Sequence, residues 1–277
     1  MNLPHPTVSV TTPPSTSTIV IKLGGRALDA PGAERELAES LASLEGRAVL
    51  VHGGGQEVSA WCRRLGHEPT FHRGLRITDD TTLDVAAAVL GGLANARHVA
   101  SLRAAGIDAL GVSAGDGGLV TVQRHPDAAQ LGHVGIATGV RVALLEQLLA
   151  LGLTPVISSM GASEGALLNL NADEVAGALA GALKARALFM LSDVDGVMLD
   201  GALKANIATA ELPALLARDD VRDGMLPKLQ AAARALEAGV ARVLICAWRG
   251  PQTFTNVMNG TQPATTVRIA REERTHA

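Results

Sequence analysis

The chain has 277 residues, 47% of them hydrophobic and 18% charged, enough apolar content to bury a large core and too much for a disordered chain. A formal charge of −3, no Tyr, three Phe and two Trp argue against a nucleic-acid surface and against an aromatic platform for stacked bases. Cys62 and Cys246 stand far apart, which excludes a disulfide framework and a zinc site built on clustered thiols. No run of 18 apolar residues is present, so no membrane span is expected.

Residues 1–17, rich in Thr, Ser and Pro without periodicity, are read as a disordered tail. They show neither a basic start with an apolar stretch nor an Arg-rich leader, so a cytoplasmic protein is expected. From residue 18 short apolar runs alternate with segments of helical period. Strands are expected at 18–23, 47–52, 107–113, 153–158, 187–191, 240–246 and near 265–269. Helices are expected at 31–44, 56–66, 80–105, 140–151, 172–185 and 227–238. Hairpin material is expected at 118–138 and 195–206. Strands alternating with helices of this length mean βαβ units and a mostly parallel sheet covered on both faces. The class is α/β, with two lobes, 18–160 and 161–270, sharing one continuous sheet.

Three of these strands end in turns suited to anions: Lys22-Leu-Gly-Gly25, His52-Gly-Gly-Gly55 and Ser192-Asp-Val-Asp-Gly196. Ligands of open α/β sheets bind at the carboxyl ends of the strands, and glycine there lets backbone N–H groups approach an anion closely. The Walker-A and Gly-x-Gly-x-x-Gly patterns are both missing, so any phosphate site is of another design.

Only four of the 24 basic residues are Lys: Lys22, Lys184, Lys204 and Lys228. A Lys kept in an Arg-rich chain is a place to look for a task that needs a compact ammonium. Lys22 ends the first strand. Lys228 follows Pro227, read as the first position of a helix, where a cation is unfavourable unless an anion joins it. Lys184 and Lys204 read as solvated surface. In Asn169-Leu-Asn-Ala-Asp173, helix capping explains Asn171, paired with Glu174. It leaves Asn169 and Asp173 unexplained, and Asp173 is placed to hold two lysines. Arg76, in Gly74-Leu-Arg-Ile-Thr78, has the planar fork that suits a substrate carboxylate. His133 reads as structural.

Together these segments, with Leu131-Gly-His-Val-Gly135 and Asp223-Gly-Met-Leu-Pro-Lys228, resemble the amino acid kinase family and, within it, the N-acetylglutamate kinases of arginine biosynthesis. The resemblance covers about residues 18–270. It implies a three-layer αβα sandwich whose N-terminal lobe takes the acyl amino acid and the dimer contact and whose C-terminal lobe takes ATP. It matches Lys22 and Lys228 to the lysines flanking the transferred phosphoryl group and Asp173 to the carboxylate that orients them. Gly54 and Gly55 match the amides facing the reacting carboxylate. Arg76 and Asn169 match the residues holding the rest of the substrate. Gly24, Gly25, Asp193, Val194, Asp195, Gly196, Val197, Met198, Asp220, Val221 and Arg222 match nucleotide-binding positions.

The implied substrate is N-acetyl-L-glutamate and the implied cofactor is ATP, with Mg2+ held mainly by the phosphates and no metal site of the protein's own. The implied assembly is a homodimer. The arginine-inhibited members carry an amphipathic N-terminal helix that 1–17 does not show, and their C-terminal arginine-site pattern is not evident in Thr253–Thr266, so no arginine feedback is expected. A kinase for carrier-bound glutamate or aminoadipate, an N-succinylglutamate kinase and a catalytically dead amino-acid-binding regulator remain the alternatives.

Overall fold

The computed structural model describes residues 18–24, 30, 32–44, 46–218, 221 and 224–269. The tail at 1–17 and the candidate residues Gly25, Asp220 and Arg222 lie outside them.

In chain order the elements are β1 (Ile19–Leu23), α1 (Ala33–Ala42), β2 (Ala48–His52), α2 (Gly55–Arg64), β3 (Phe71–His72) and β4 (Leu75–Arg76). One long helix follows, made of α3 (Asp80–Ala86), π-helical turns over Ala87–Ala94, and α4 (Asn95–Ala104). Next come β5 (Ala109–Ser113), β6 (Val120–Arg124), α5 (Ala128–Leu131), β7 (Val134–Val140), α6 (Val142–Ala150), β8 (Thr154–Ser158), β9 (Met160–Ser163) and β10 (Ala166–Leu170). The rest are α7 (Ala172–Ala182), β11 (Ala187–Ser192), β12 (Met198–Leu199), β13 (Ala202–Leu203), β14 (Asn206–Ala208), α8 (Leu212–Leu216), α9 (Met225–Glu237), β15 (Val243–Ala247), α10 (Thr253–Asn259) and β16 (Thr265–Arg268).

Eight strands form one sheet in the order β14-β16-β15-β11-β1-β2-β8-β5. Every neighbouring pair is parallel except β15 with β16. Side chains of a strand alternate between faces, and the core divides accordingly. Ile19, Ile21 and Leu23 of β1, with Phe189 and Leu191 of β11, pack against α1, α4 and α10. Val20, with Leu188 and Met190, packs against α6, α7 and α9. Burial on both faces explains the unbroken apolar runs, and the three layers are those expected. The strands of the first half join those of the second at β1–β11, so one sheet runs through both.

A second sheet, β6-β7-β10-β9, crosses residue 160 and was not expected beyond its first hairpin. The long helix Asp80–Ala104 has 25 residues and an 18-residue stretch of mean hydropathy 1.2, long and apolar enough by length and composition to cross a membrane. Here its buried residues Val85, Ala86, Val89 and Leu90 pack against Val58 and Cys62 of α2, and Leu102 packs under the sheet.

Helices α7 and α9 approach closely because glycine faces alanine where they meet. A Cβ on Gly177 would lie 3.0 Å from the Ala231 carbonyl oxygen, and one on Gly181 would collide with the Ala238 methyl. This contact brings the first turns of the two helices together beside the end of β1.

Candidate active site

Lys22 follows Val20 in the alternation of β1 and therefore points toward α7 and α9. Its side chain is 9% exposed, and a buried ammonium requires a partner. Asp173 supplies it, with Lys22 Nζ 3.0 Å from Asp173 Oδ1. Asn171 caps α7 by accepting from the backbone N–H groups of Asp173 and Glu174 at 2.8 and 3.2 Å, which fixes the first turn that carries Asp173. Lys228 Nζ lies 3.5 Å from Asp173 Oδ2 and donates to the Gly224 carbonyl at 3.3 Å. Helix α9 begins at Met225, two residues earlier than Pro227 implied. Proline is tolerated anywhere in a first turn, where N–H groups have no intrahelical acceptor.

Burial pushes the Asp173 carboxyl up, but Lys22 and then Lys228 together outweigh it and hold it below the usual carboxylate range. Burial lowers the Lys228 ammonium, and Lys22 adds to that; Asp173 and, more weakly, Asp193 oppose it, leaving the pKa below that of an ordinary lysine. Two ammonium groups thus share one carboxylate, and the buried trio carries an excess of one positive charge.

Lys22 and Asp173 of the trio open on a cavity of about 210 Å³ that Gly53, Gly54, Gly55, Arg76 and Asn169 also line. β2 delivers the glycines, and α2 begins at Gly55, so the positive end of its dipole faces the cavity. Arg76, at the end of β4, stacks on Phe71 with 4.8 Å to the ring centre. Its Nη2 donates to the Gly55 carbonyl and Ser59 Oγ at 2.5 and 2.8 Å. Its Nη1 is buried without a hydrogen-bond partner. Asn169 donates through Nδ2 to Thr78 Oγ1 at 3.1 Å. Sequence reasoning missed Ser59 and Thr78, which hold Arg76 and Asn169 and carry no local signal of that task.

The turn after β11 bears the expected nucleotide positions. Asp193 lies close enough to Lys228 to influence its proton affinity. Val194 and Met198 are exposed. The fork of Arg249 grips Asp195, with Nη2 2.8 and 2.7 Å from its two oxygens. Gly196 packs where any side chain would meet Thr265, whose Oγ1 accepts from the Val197 N–H at 2.8 Å. The Val197 and Val221 side chains belong to the core, so only their backbone is left to meet a ligand. Gly24 faces a second cavity beyond the glycine turn, and a side chain there would run into the Leu191 carbonyl oxygen. Arg249 was not foreseen; like Asp195, it lies just after a parallel strand of the main sheet. His133, read as structural, pairs through Nε2 with Asp80 at 2.7 Å.

The description of the Amino acid kinase family matches residues 17–247. The acetylglutamate kinase of Methanopyrus kandleri is 44% identical over 236 residues, covering 82% of this chain and 93% of its own. That of Symbiobacterium thermophilum is 39% identical over 255 residues, 87% of each. Among solved structures, smu.665 from Streptococcus mutans superposes with a TM-score of 0.81 at 26% identity, covering 92% of this chain and all of its own. The N-acetylglutamate synthase of Neisseria gonorrhoeae, complexed with coenzyme A and N-acetyl-glutamate, has a TM-score of 0.79 at 25% identity over 94% of this chain and 61% of its own. With its parallel sheet, glycine turns and paired lysines, the chain belongs to the amino acid kinase family.

Proposed function

We propose that the chain transfers the γ-phosphoryl group of ATP to the side-chain carboxylate of N-acetyl-L-glutamate, forming an acyl phosphate and ADP in the second step of arginine biosynthesis. The observation that carries this reading is the excess positive charge of Lys22, Asp173 and Lys228, with Lys22 and Asp173 lining the same cavity as Arg76, whose Nη1 has no hydrogen-bond partner. The lysines suit a phosphoryl group in transit, Arg76 a fixed carboxylate. The acetylglutamate kinases that match over most of this chain support the substrate.

The nucleophile, a carboxylate with a pKa of about 4.3, is already ionised at neutral pH. No general base is required. The protein's task is to bring two anions into line and neutralise them. In this reading Lys22 and Lys228 flank the migrating group, Asp173 orients both, and the Gly54 and Gly55 amides face the acceptor oxygen. Arg76 and Asn169 hold the rest of the amino acid. Gly24, Gly25, the 193–198 turn and residues 220–222 meet the nucleotide. Mg2+, carried by the ATP phosphates, would neutralise phosphate charge. The half spanning 18–160 would take the amino acid and the dimer contact, and 161–270 the nucleotide. A cytoplasmic homodimer without arginine feedback completes the reading.

Coupled ADP release from purified protein tests it. Turnover with N-acetylglutamate is expected, unchanged by added arginine. Turnover only with N-succinylglutamate, or only with a carrier-bound amino acid, would reassign the substrate, and none with any of the three would remove the activity.

A further inference from the structure

The Gly53–Gly55 turn separates the substrate cavity from the second one, which His52 and His98 line. An N–H that faces an anion on one side must be held from the other. His52 is 1% exposed and touches the turn directly. We propose that His52, locked in one tautomer by Asn95, is a positioning residue that aims the Gly54 amide into the substrate cavity. The inference rests on the reading above, in which that amide serves the acceptor carboxylate.

The chain of donors runs in one direction only. The Asn95 side chain lies 2.9 Å from the Val156 carbonyl oxygen and 3.0 Å from His52 Nε2. A carbonyl can only accept, so the atom between them is the Asn95 NH2 group, which can only donate. His52 Nε2 must then present its lone pair. A neutral imidazole has one N–H, so the proton sits on Nδ1 and is donated to the Gly53 carbonyl oxygen, 2.9 Å away. In a planar trans peptide the C=O of Gly53 and the N–H of Gly54 point in opposite directions. Holding the carbonyl toward His52 therefore turns the Gly54 N–H away from it, toward the substrate cavity.

The surroundings preserve this state. Burial pushes the His52 pKa down to about 4, and His98, ring to ring at 4.9 Å, adds to the shift. His52 is thus neutral throughout the working pH range. Gly111 leaves room for the Asn95 amide oxygen, which any side chain there would strike. Leu90, on the same long helix as Asn95, packs on Gly54 so closely that a Cβ there would lie 2.8 Å from it.

Two measurements test the proposal. Nitrogen-15 spectra of histidine-labelled protein, with His52 assigned by its loss in a variant, report the tautomer without any turnover. Nδ1–H is expected between pH 6 and 8, and Nε2–H overturns the proposal. In kinetics, His52→Leu should lower kcat about 100-fold, the scale of one lost transition-state donor, with KM for ATP within about twofold. His52→Asn, which restores a donor near the Nδ1 position, should recover about tenfold of the loss. A folded His52→Leu with wild-type kcat, or an Asn variant no better than Leu, overturns it. Should His52→Leu fail to fold, Asn95→Leu should show both tautomers with reduced kcat; one Nδ1–H tautomer with unchanged kcat counts against the lock. If wild-type protein turns over N-acetylglutamate and His52→Leu matches it, only this inference falls. If wild-type protein does not turn over, the functional reading falls and the tautomer decides this one.

Discussion

Lys22 and Lys228 reach the two oxygens of the same carboxylate, that of Asp173, from unrelated parts of the fold: the end of a central strand and the first turn of a helix on the layer above. Either ammonium could be balanced by Asp173 alone; both cannot. Asp173→Asn keeps the shape and deletes the balance, leaving two buried cations side by side. Breaking such a pair costs about 3–5 kcal/mol, which denaturant unfolding would register, and kcat should fall at least about 100-fold. The Asp173 pKa is depressed by folding, so its contribution to stability is complete above about pH 4 and disappears as pH falls through the lower folded value. The Asn variant should lack that part of the acid limb.

Lys228 titrates below an ordinary lysine, because burial opposes its charge. As pH rises it loses its proton early, and kcat should decline on an alkaline limb set below 10.5, the ordinary lysine value. Lys228→Ala should cost about 100-fold or more in kcat. Lys228→Arg, slower but permanently charged, should lose the limb. Persistence of the same limb in the Arg variant would assign it to another group.

Arg76 has its Nη2 engaged by Gly55 and Ser59 and its Nη1 without a hydrogen-bond partner. Arg76→Ala should raise KM for the amino acid about 10- to 100-fold, the scale of a charged hydrogen bond, and leave KM for ATP within about twofold. Steady-state kinetics in both substrates would check this; a rise confined to ATP would put Arg76 on the wrong half of the site.

Gly24 abuts the Leu191 carbonyl oxygen at the carboxyl ends of β1 and β11. Backbone cannot rotate aside as a side chain would. Gly24→Ala should therefore pry the two central strands apart locally and destabilise the fold by about 1–3 kcal/mol, visible as a melting temperature lower by several degrees. Unaltered melting would mean the seam is looser than this contact implies.

How legible was this in the chain itself? The central strands were, because residues buried on both faces leave unbroken apolar runs such as Ala48–Val51. The paired lysines were, because lysine is scarce here and both fall beside turns. The hairpin of β9 and β10 was not. Its two-residue turn, Glu164-Gly165, has φ of 51° and 78°, a left-handed pair that Asn-Gly or Asp-Gly announces and Glu-Gly does not. The π-helical turns at Ala87–Ala94 have no spacing distinct from the α-helix around them. Nor did any pattern link Asn95 to His52, since the contact joins a long helix to the end of a strand that only the folded sheet brings near. Capping correctly accounted for Asn171, and the remainder of that segment was interpretable only because the cap left Asp173 over.

The excess positive charge of Lys22 and Lys228 over Asp173 makes the site sensitive to its buffer. Sulfate and inorganic phosphate are tetrahedral anions of about the size of a phosphoryl group, so in the proposed reading each should compete with the terminal phosphate of ATP. In that reading, rates taken in phosphate should understate the turnover, and an oxyanion from the buffer should settle near the two lysines.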